Sequence, residues 1–397
     1  MHIRRIMIEN VRAIKHLHWE IPMDSAAGWH VILGDNSSGK SSFLRAVSLG
    51  LLGVADAAPL WESWSEWVRA GATEGHVVIS GDRVERTVFF HGETTPHLSE
   101  TVAPGSIHDF SAAYGPFRRF RGGGQDGERA FKAGDRLSAH ISVFSEGVAL
   151  TEALPWLREL DYERLKARDP EGGLLARIIE FVNQDGFLPQ GVRLRGLSTD
   201  RINFVDADNS VVGVEQLGDG FRSVLSMMFE LMRQLSQFFA PSQIFSSNNQ
   251  QITSGGVVLI DEVDAHLHPT WQKQIGFSLT KHFPNIQFIV TTHSPLVCHA
   301  AVRGSIFRLR TPGSDEESRM LTGVERDRLI YGDILDAYST EAFGTGETRS
   351  DEAYVKLDRL GALNVKEVTR GLTDEERQEQ SVLRAVFPGL MPGMGGA

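Results

Sequence analysis

The sequence is poor in cysteine and in positive charge. Cys298 is the only cysteine among 397 residues, which excludes an internal disulfide and any metal site built of cysteines alone. A single cysteine also suits a reducing compartment. Asp and Glu number 51 against 40 Lys and Arg, so the formal net charge is −11. This balance excludes nucleic-acid binding through the surface as a whole and leaves only local basic patches for that purpose.

Long hydrophobic runs and heptad repeats are missing as well. No apolar stretch approaches the about 20 residues that cross a bilayer, and the opening MHIRRIMIENVR lacks the apolar core of a signal peptide. We therefore expect a cytoplasmic protein with no membrane partner. No sustained heptads occur between Ser41 and Leu217, which excludes a long coiled-coil arm there.

The stretch from 30 to 44, HVILGDNSSGKSSFL, contains the pattern G-x-x-x-x-G-K-[ST]. The apolar run 31–33 predicts a buried strand and 42–52 predicts a helix, which is the strand–loop–helix context typical of a P-loop. In such a loop, backbone N–H groups and the helix N-terminus bind phosphate. A glycine-rich turn before a core helix is the alternative. The predicted nucleotide-binding residues are Gly34, Asp35, Asn36, Ser37, Ser38, Gly39, Lys40, Ser41 and Ser42.

A second buried strand, VVLI at 257–260, ends in Asp261 and Glu262. This pattern is typical of a Walker B motif, and the alternative is a strand end capped by two acids. With a P-loop upstream, we expect ATP and Mg²⁺ as cofactors. Lys40 is expected to reach the β- and γ-phosphates, Ser41 and Asp261 to hold Mg²⁺, and Glu262 to act as general base on water.

Two further segments follow in a characteristic order. Residues 217–223, LGDGFRS, open an apolar helix that runs to about Phe239, and residues 288–295, FIVTTHSP, predict a strand that ends in Thr-His-Ser. After the Walker B acids, Asp264, His266 and His268 have a D-x-H-x-H spacing. That spacing is compatible with a metal site, although loop packing or a dimer contact is the more ordinary interpretation.

Together these motifs resemble those of ABC ATPases of the RecF/OLD-like branch. More closely, the chain is similar to bacterial ATP-binding proteins of phage-defence modules, the PtuA type of Septu and retron-associated systems. The ATPase resemblance covers roughly residues 1–312. It implies that His293 hydrogen-bonds the γ-phosphate, and that a signature-like segment binds the nucleotide of another subunit through Gly218, Asp219 and Gly220, where Gly218 replaces the usual serine and Ser223 offers a hydroxyl.

The resemblance extends to two arginine-containing stretches. Asn-Val-Arg at 10–12 matches an Asn-Phe-Arg-type stretch after strand one, which makes Arg12 a candidate phosphate contact or, alternatively, a solvated hairpin arginine. Tyr-Gly-Pro-Phe-Arg at 114–118 stands at the Q-loop position but has no glutamine. It opens a basic segment that could bind nucleic acid or a partner, or could be a solvated loop; its cations are Arg118, Arg119, Arg121, Arg129, Lys132 and Arg136.

We therefore predict an α/β fold: an ABC-type P-loop NTPase head with a mixed sheet, a β-rich lobe, a helical insertion and a small helical C-terminal extension. The expected strands are 2–9 and 16–21, with a hairpin over 76–90 and a helix carrying Trp61, Trp64 and Trp67 within 59–72. The polar stretch 241–256 predicts a flexible surface loop. The expected domains are a head at 1–312 (lobe I about 1–100, insertion about 101–190, lobe II about 191–312), a helical extension at 313–390 and a disordered tail at 391–397.

The predicted function is an ATP-binding and ATP-hydrolysing conformational switch. Two copies would hold two ATP molecules between them, or form a higher oligomer. The resemblance implies an ATPase in an anti-phage defence complex that controls a separate effector, such as a nuclease. The alternatives are a RecF-like DNA-repair ATPase that binds duplex through residues 118–136, and a nucleotide-gated scaffold without hydrolysis. The sequence alone leaves the three open.

Overall fold

A computed structural model shows an α/β protein in which a P-loop helix lies between two β-sheets. It describes residues 2–53, 56, 64–82, 84–91, 96–102, 110–118, 135–145, 150, 152–167, 173–188, 191–197, 202–206, 208–314, 316–338, 340 and 350–387. The described strands are β1 (Ile3–Val11), β2 (Ile14–Glu20), β3 (Gly28–Leu33), β4 (Gly75–Gly81), β5 (Val84–Phe90), β6 (His97–Val102), β7 (Ser111–Tyr114), β8 (Arg193–Leu197), β9 (Ile202–Val205), β10 (Val211–Gly213), β11 (Gly256–Ile260), β12 (Ile286–Thr291), β13 (Gly304–Arg308) and β14 (Arg319–Met320). The described helices are α1 (Lys40–Leu52), α2 (Asp135–Ser138), α3 (Ile141–Phe144), α4 (Ala153–Ala167), α5 (Leu174–Val182), α6 (Asp219–Phe238), α7 (Pro241–Ile244), α8 (Pro269–His282), α9 (Gly323–Tyr331), α10 (Ile334–Tyr338), α11 (Asp351–Thr369) and α12 (Asp374–Val386).

An antiparallel sheet has the strand order β2-β1-β4-β5-β6. Its strands alternate between buried apolar and exposed polar residues, as Leu17 and Trp19 of β2 show, because one face packs on the core and the other meets solvent. The predicted strands near 2–9 and 16–21 are confirmed as β1 and β2. The predicted hairpin over 76–90 is confirmed as β4 and β5, which pair from Gly75–Phe90 to Ser80–Glu85.

The second sheet is mixed, in the order β14-β13-β3-β12-β11-β7. Its strands are parallel except β14, which pairs antiparallel with β13. Every residue of β3, β11 and β12 is buried, as expected for parallel strands covered on both faces. The predicted mixed α/β fold is therefore confirmed. The carboxyl ends of β3, β12 and β11 lie side by side at one edge.

Helix α1 joins the two sheets through one core. Its buried residues include Phe43, Leu44 and Val47, which share a hydrophobic cluster with residues of both sheets. At Gly50 an added Cβ would lie 2.4 Å from Cδ1 of Ile79, so a glycine lets β4 approach the helix closely. The helix begins at Lys40, two residues before the predicted start.

The tryptophan-containing stretch is packed but not helical throughout. Trp64 and Trp67 are buried, and Trp67 stacks on Phe90 with ring centroids 5.3 Å apart. Only a 3-10 turn forms at Ser65–Trp67, and Val68 then bridges Val11 as extended chain. The helix predicted over 59–72 is therefore wrong for its second half, because pairing with β1 overrides the local pattern. Trp61 lies outside the described residues.

The stretch 241–256 forms a hydrogen-bonded turn. Helix α7 leads into a bridge between Phe245 and Ile252, and Ile244, Phe245 and Ile252 are buried. Arg177 donates to the side chain of Asn249 at 2.8 Å and to the carbonyl of Pro241 at 3.2 Å. The segment predicted to be a flexible surface loop therefore forms a structured turn whose apolar residues face inward, while most of residues 246–251 are exposed. Its flexibility stays a prediction.

Two compact units divide the chain, Met1–Ala337 and Tyr338–Ala397. Strand β14 and helix α9 belong to the first unit, beyond the head boundary predicted at 312. In the second unit, α11 and α12 pack through Leu360, Leu363 and Leu383, and Thr373 and Glu376 form a capping box at the start of α12. Helices α11 and α12 lie within the helical extension predicted at 313–390, whose limits stay a prediction. The predicted lobe and insertion limits stay predictions, and the tail 391–397 lies outside the described residues.

Candidate nucleotide-binding and hydrolysis site

The P-loop leaves β3 at Leu33 and turns back into α1. The N–H of Ser38 donates to the carbonyl of Asp35 at 3.1 Å, and Gly39 caps the helix with a φ of 98°, in the left-handed region where glycine is favoured. A Cβ at Gly34 would lie 2.4 Å from Oγ of Ser38. The loop therefore closes tightly and, with the first N–H groups of α1, which have no partners within the helix, forms the proposed phosphate cradle.

Lys40 lies at the centre of this cradle. Its Nζ donates to the carbonyls of Gly34 and Asp35 at 2.8 and 2.9 Å. Burial lowers the pKa of Lys40, while the nearby carboxylates of Asp261 and Glu262 act in the opposite direction. A cation and two acids from distant parts of the sequence thus share one site.

The Walker B acids reach this site because β11 and β3 flank β12 in the same parallel sheet. Asp261 directly follows β11 and is buried, and its Oδ1 accepts from Oγ1 of Thr291 at 2.6 Å. The same Oγ1 accepts from the N–H of Glu262 at 2.8 Å. Thr291, the last residue of β12, thus fixes both acids. Sequence reasoning missed it, and the only available signal was the Thr-Thr pair before His293.

Valine and serine substitutions of Thr291 distinguish the effect of its hydroxyl group from the effect of its side-chain volume. Thr291→Val should lower the free energy of unfolding by about 1–3 kcal/mol, because a buried N–H and a carboxylate oxygen lose their partner. It should also lower the turnover number for nucleotide hydrolysis about 10- to 100-fold, since Asp261 and Glu262 lose their placement. Thr291→Ser keeps the hydroxyl and should retain most of both. Urea denaturation measures the free energy of unfolding, and steady-state kinetics measure the turnover number. Equal losses in the valine and serine variants would contradict the role of the hydroxyl group.

His293 follows β12 and is exposed toward the same cluster. Partial burial lowers the pKa of His293, and the neighbouring Lys40 lowers it further, whereas Asp264, Glu262 and Asp35 raise it. The imidazole is thus surrounded by P-loop and Walker B charges. The structure brings Lys40, Asp261, Glu262 and His293 together, while their individual roles stay predictions.

The D-x-H-x-H residues are used for local packing. Oγ1 of Thr292 donates to Oδ1 of Asp264, and Nδ1 of His268 accepts from the N–H of Thr270 at the start of α8. His266 has a φ of 65° in the turn between them. Among the residues described by the structure, no group of three or more His, Cys, Asp or Glu is arranged to hold a metal ion. Packing therefore accounts for Asp264 and His268, whereas His266 is exposed and a dimer contact by this segment stays a prediction.

Residues 30–298 match the protein family described as AAA domain, putative AbiEii toxin, Type IV TA system. The chain belongs to this AAA-domain family. The matched stretch contains the P-loop, both Walker B acids and His293. The sequence-based prediction of an ATPase domain is confirmed.

Relatives of this AAA domain carry the names expected from the sequence. The chain is 26% identical over 310 residues to Septu protein PtuA of Bacillus mycoides (strain KBAB4), covering 77% of this chain and 40% of that protein. It is 40% identical over 127 residues to the Retron Ec83 probable ATPase of Escherichia coli, covering 31% of this chain and 22% of that protein. The chain thus spans less than half the length of either relative. The predicted resemblance to the PtuA type is confirmed.

A solved structure is also similar to the AAA-domain chain. It is described as the crystal structure of the SmcHead bound to the C-winged helix domain of ScpA. The match has a TM-score of 0.49 and 16% sequence identity, and covers 82% of this chain and 99% of that one.

The groups predicted to hold Mg²⁺ in this AAA domain fit that ion. The Ser41 hydroxyl and the Asp261 carboxylate are hard oxygen donors, and Mg²⁺ takes few protein ligands because it keeps water and phosphate oxygens as well. Ser41 is the second residue of α1, and Asp261 ends β11 in the electrostatic neighbourhood of Lys40. The metal-binding roles of both residues stay predictions.

Arg12 lies in the β1–β2 turn beside the P-loop. Its N–H donates to the carbonyl of Trp67 at 2.9 Å, and its guanidinium lies 5.7 Å from the centre of a Trp67 ring. The next two residues, Ala13 and Ile14, are the closest neighbours of a Cβ placed on Gly39. The turn thus contacts the P-loop, and a phosphate contact by Arg12 stays a prediction.

The signature-like segment starts α6 as predicted, with Gly218 as N-cap and Asp219 as the first helical residue. Gly220 packs on the turn that follows the Walker B acids: an added Cβ would lie 2.3 Å from the carbonyl oxygen of His266. Ser223 is buried, and its Oγ accepts from Nε of Arg118. An arginine of the same chain therefore binds this hydroxyl oxygen, and the suggested contact of the hydroxyl with a phosphate stays a prediction.

Two glycines of this segment form a matched pair for a stability test. Gly220→Ala should lower the free energy of unfolding by about 1–3 kcal/mol through the clash with His266. Gly218→Ala should change it by less than about 0.5 kcal/mol, because nothing lies within 4 Å of its Cβ and φ is −58°. Urea denaturation of both variants compares them. A Gly218 variant as unstable as the Gly220 variant would contradict this packing.

Arg118 is the residue whose place differs most from expectation. It was assigned to a basic surface segment, yet it is 5% exposed and makes four hydrogen bonds inside the site. Arg136, from the same segment, donates to the carbonyl of Leu51. These two cations are therefore removed from the proposed nucleic-acid surface. The remaining four, Arg119, Arg121, Arg129 and Lys132, lie outside the described residues.

Proposed function

We propose that this chain is a Mg²⁺-dependent ATPase that works as a conformational switch. The observation that carries the proposal is the shared edge of the parallel sheet. There the P-loop after β3, His293 after β12 and the two acids after β11 lie side by side. Active sites of α/β folds occupy this carboxyl edge of parallel strands.

The roles follow from charge and position. The P-loop N–H groups and Lys40 bind the β- and γ-phosphate oxygens, and Ser41 and Asp261 hold the metal ion. A Mg²⁺ ion held by these two residues would supply positive charge that offsets the negative charge of the phosphates. Glu262 accepts a proton from the attacking water, and His293 hydrogen-bonds the γ-phosphate and reports its loss.

A cavity of about 450 Å³ offers room for the nucleoside. It opens beside Ser37 and Ser38 of the P-loop, and its walls come from Arg69 and from residues 13–16, 309–310, 312–313 and 316–318. Small-molecule sites in proteins are of this size. Oγ1 of Thr311 donates to Oδ2 of Asp35 at 2.8 Å, which ties the outer wall to the loop.

The switch requires a second copy. The start of α6 is open at Gly218, with nothing within 4 Å of its Cβ position, and helix N-termini attract phosphate. We propose that residues 217–223 of one copy bind the γ-phosphate held by the P-loop of the other. Two nucleotides would thus join two copies, and hydrolysis would release them.

Analytical ultracentrifugation of Glu262→Gln tests this arrangement. With ATP and Mg²⁺ at micromolar protein concentration, the variant should sediment as a dimer or higher oligomer, because it binds ATP without consuming it. With ADP it should dissociate. A strict monomer in the presence of saturating ATP would refute the sandwich.

For the biological role, we propose an ATPase of an anti-phage defence complex that controls a separate effector, such as a nuclease. Support comes from the relatives named Septu protein PtuA and Retron Ec83 probable ATPase. Purification from the native host should recover the effector in a fixed ratio with this chain. Salt-dependent duplex DNA binding by the chain alone, with no co-purifying protein, would instead support the DNA-repair alternative.

A further inference from the structure

Among the site residues with a left-handed backbone, which include Ser37 and Arg12, is the proposed general base, Glu262. Its φ is 44°, in the left-handed region that residues with a Cβ seldom adopt. Such a conformation persists only where surrounding contacts hold it. Thr291 holds the N–H of Glu262, and the carbonyl of Glu262 accepts from the N–H of Ala265 at 2.9 Å, so one side-chain contact to the same carbonyl completes the set that holds this residue.

Arg118 supplies that contact. Nη2 donates to the carbonyl of Glu262 at 3.0 Å, and Nη1 donates to the carbonyls of Asp261 at 2.8 Å and Gly115 at 3.0 Å. The planar guanidinium thus spans the end of β11 and the turn after β7. Lysine cannot make this fork, because its single ammonium carries donors at one point only.

The same arginine reaches the helix that starts at the signature-like segment. Nε donates to Oγ of Ser223 at 3.1 Å. A second tie, from the hydroxyl of Tyr114 to Oε1 of Gln234 at 2.7 Å, fixes the far end of α6 to β7. Helix α6 therefore cannot shift along its axis without moving the segment that carries Arg118.

We propose that Arg118 is a positioning residue: it holds the side chain of Glu262 in the orientation that a general base needs, and it links that orientation to the start of α6. The inference rests on the proposed function, because α6 is the element offered to the second copy. Binding of residues 217–223 to the second copy would thereby determine the position of the Glu262 carboxylate. Arg118 takes the Q-loop position without a glutamine and acts on the protein backbone.

Steady-state and single-turnover ATP hydrolysis by the full chain test this role. Arg118→Lys should lower kcat at least tenfold, while KM and the Kd for nucleotide stay within threefold of wild type. In a Glu262→Gln background the same substitution should change the residual single-turnover rate less than twofold, because there is no general base left to position. Arg177→Lys is the matched control, since Arg177 also binds backbone carbonyls but holds the 241–256 turn; its kcat should stay within twofold.

The outcomes separate the two proposals. If the wild type is active and Arg118→Lys keeps kcat within twofold of it, the inference about Arg118 is overturned and the ATPase proposal stands. The same follows if Arg118→Lys lowers the single-turnover rate as strongly in the Glu262→Gln background as in the wild type. An inactive wild type overturns the ATPase proposal and the inference together. If Arg118→Lys fails to fold, Ser223→Ala replaces it: a two- to tenfold lower kcat at unchanged KM supports the tie to α6, and an unchanged kcat overturns it.

Discussion

Glu262→Gln should lower the steady-state rate of ATP hydrolysis by about 10²- to 10⁴-fold, the contribution typical of a positioned general base. Glutamine keeps the size and the backbone contacts to Thr291 and Arg118 but cannot accept a proton. Nucleotide affinity should therefore stay within a few-fold of wild type. Phosphate release and the binding of a fluorescent ATP analogue measure the two quantities separately.

Glu159→Gln is the control for that experiment. Glu159 is an exposed residue of α4, and its replacement should leave the rate unchanged. Hydrolysis by Glu262→Gln within tenfold of wild type would remove Glu262 from the role of general base. Equal loss of binding and turnover would instead assign Glu262 to ground-state binding.

Lys40→Ala should weaken binding of Mg²⁺-ATP about 100-fold. Each charge-assisted hydrogen bond contributes about 1.5–3 kcal/mol, and about 1.4 kcal/mol corresponds to tenfold in affinity. Turnover should fall with binding. Isothermal titration calorimetry measures the affinity directly, and a turnover that survives both Lys40→Ala and Glu262→Gln would exclude this site as the source of activity.

The matched substitution is Lys281→Ala, which removes an exposed lysine from the last turn of α8. It should leave nucleotide affinity within twofold of wild type. Stability needs checking as well, because Lys40 also donates to the carbonyls of Gly34 and Asp35 within the folded P-loop. Affinity that is unaffected by Lys40→Ala in a folded variant would refute the proposed cradle.

The local motifs could be predicted because their information is local. A buried parallel strand is apolar throughout, as in β3, β11 and β12, and the residues after each strand are read directly from the sequence. The hairpin β4–β5 is equally local, since its two strands alternate around a short turn. The predicted ends of these elements lie within three residues of those in the structure.

Local sequence patterns did not predict the elements that are stabilised by residues distant in the chain. Residues 65–68 follow a helical pattern, yet Val68 pairs with Val11 and Trp67 stacks on Phe90. The turn over 241–256 is polar in composition, yet three apolar side chains fasten it to the interior. In both places tertiary packing outweighs local preference.

The sequence by itself determined the chemistry of this protein: a phosphate-binding loop, two acids and a histidine, each placed at the end of an apolar strand. Only the tertiary structure brings these groups next to one another, because the order β3-β12-β11 in the sheet results from strand pairing and does not follow the order along the chain. It also decided the part played by Arg118. A sequence shows that an arginine is charged, but only the fold shows that its donors bind the backbone carbonyls of Asp261 and Glu262 and the hydroxyl of Ser223.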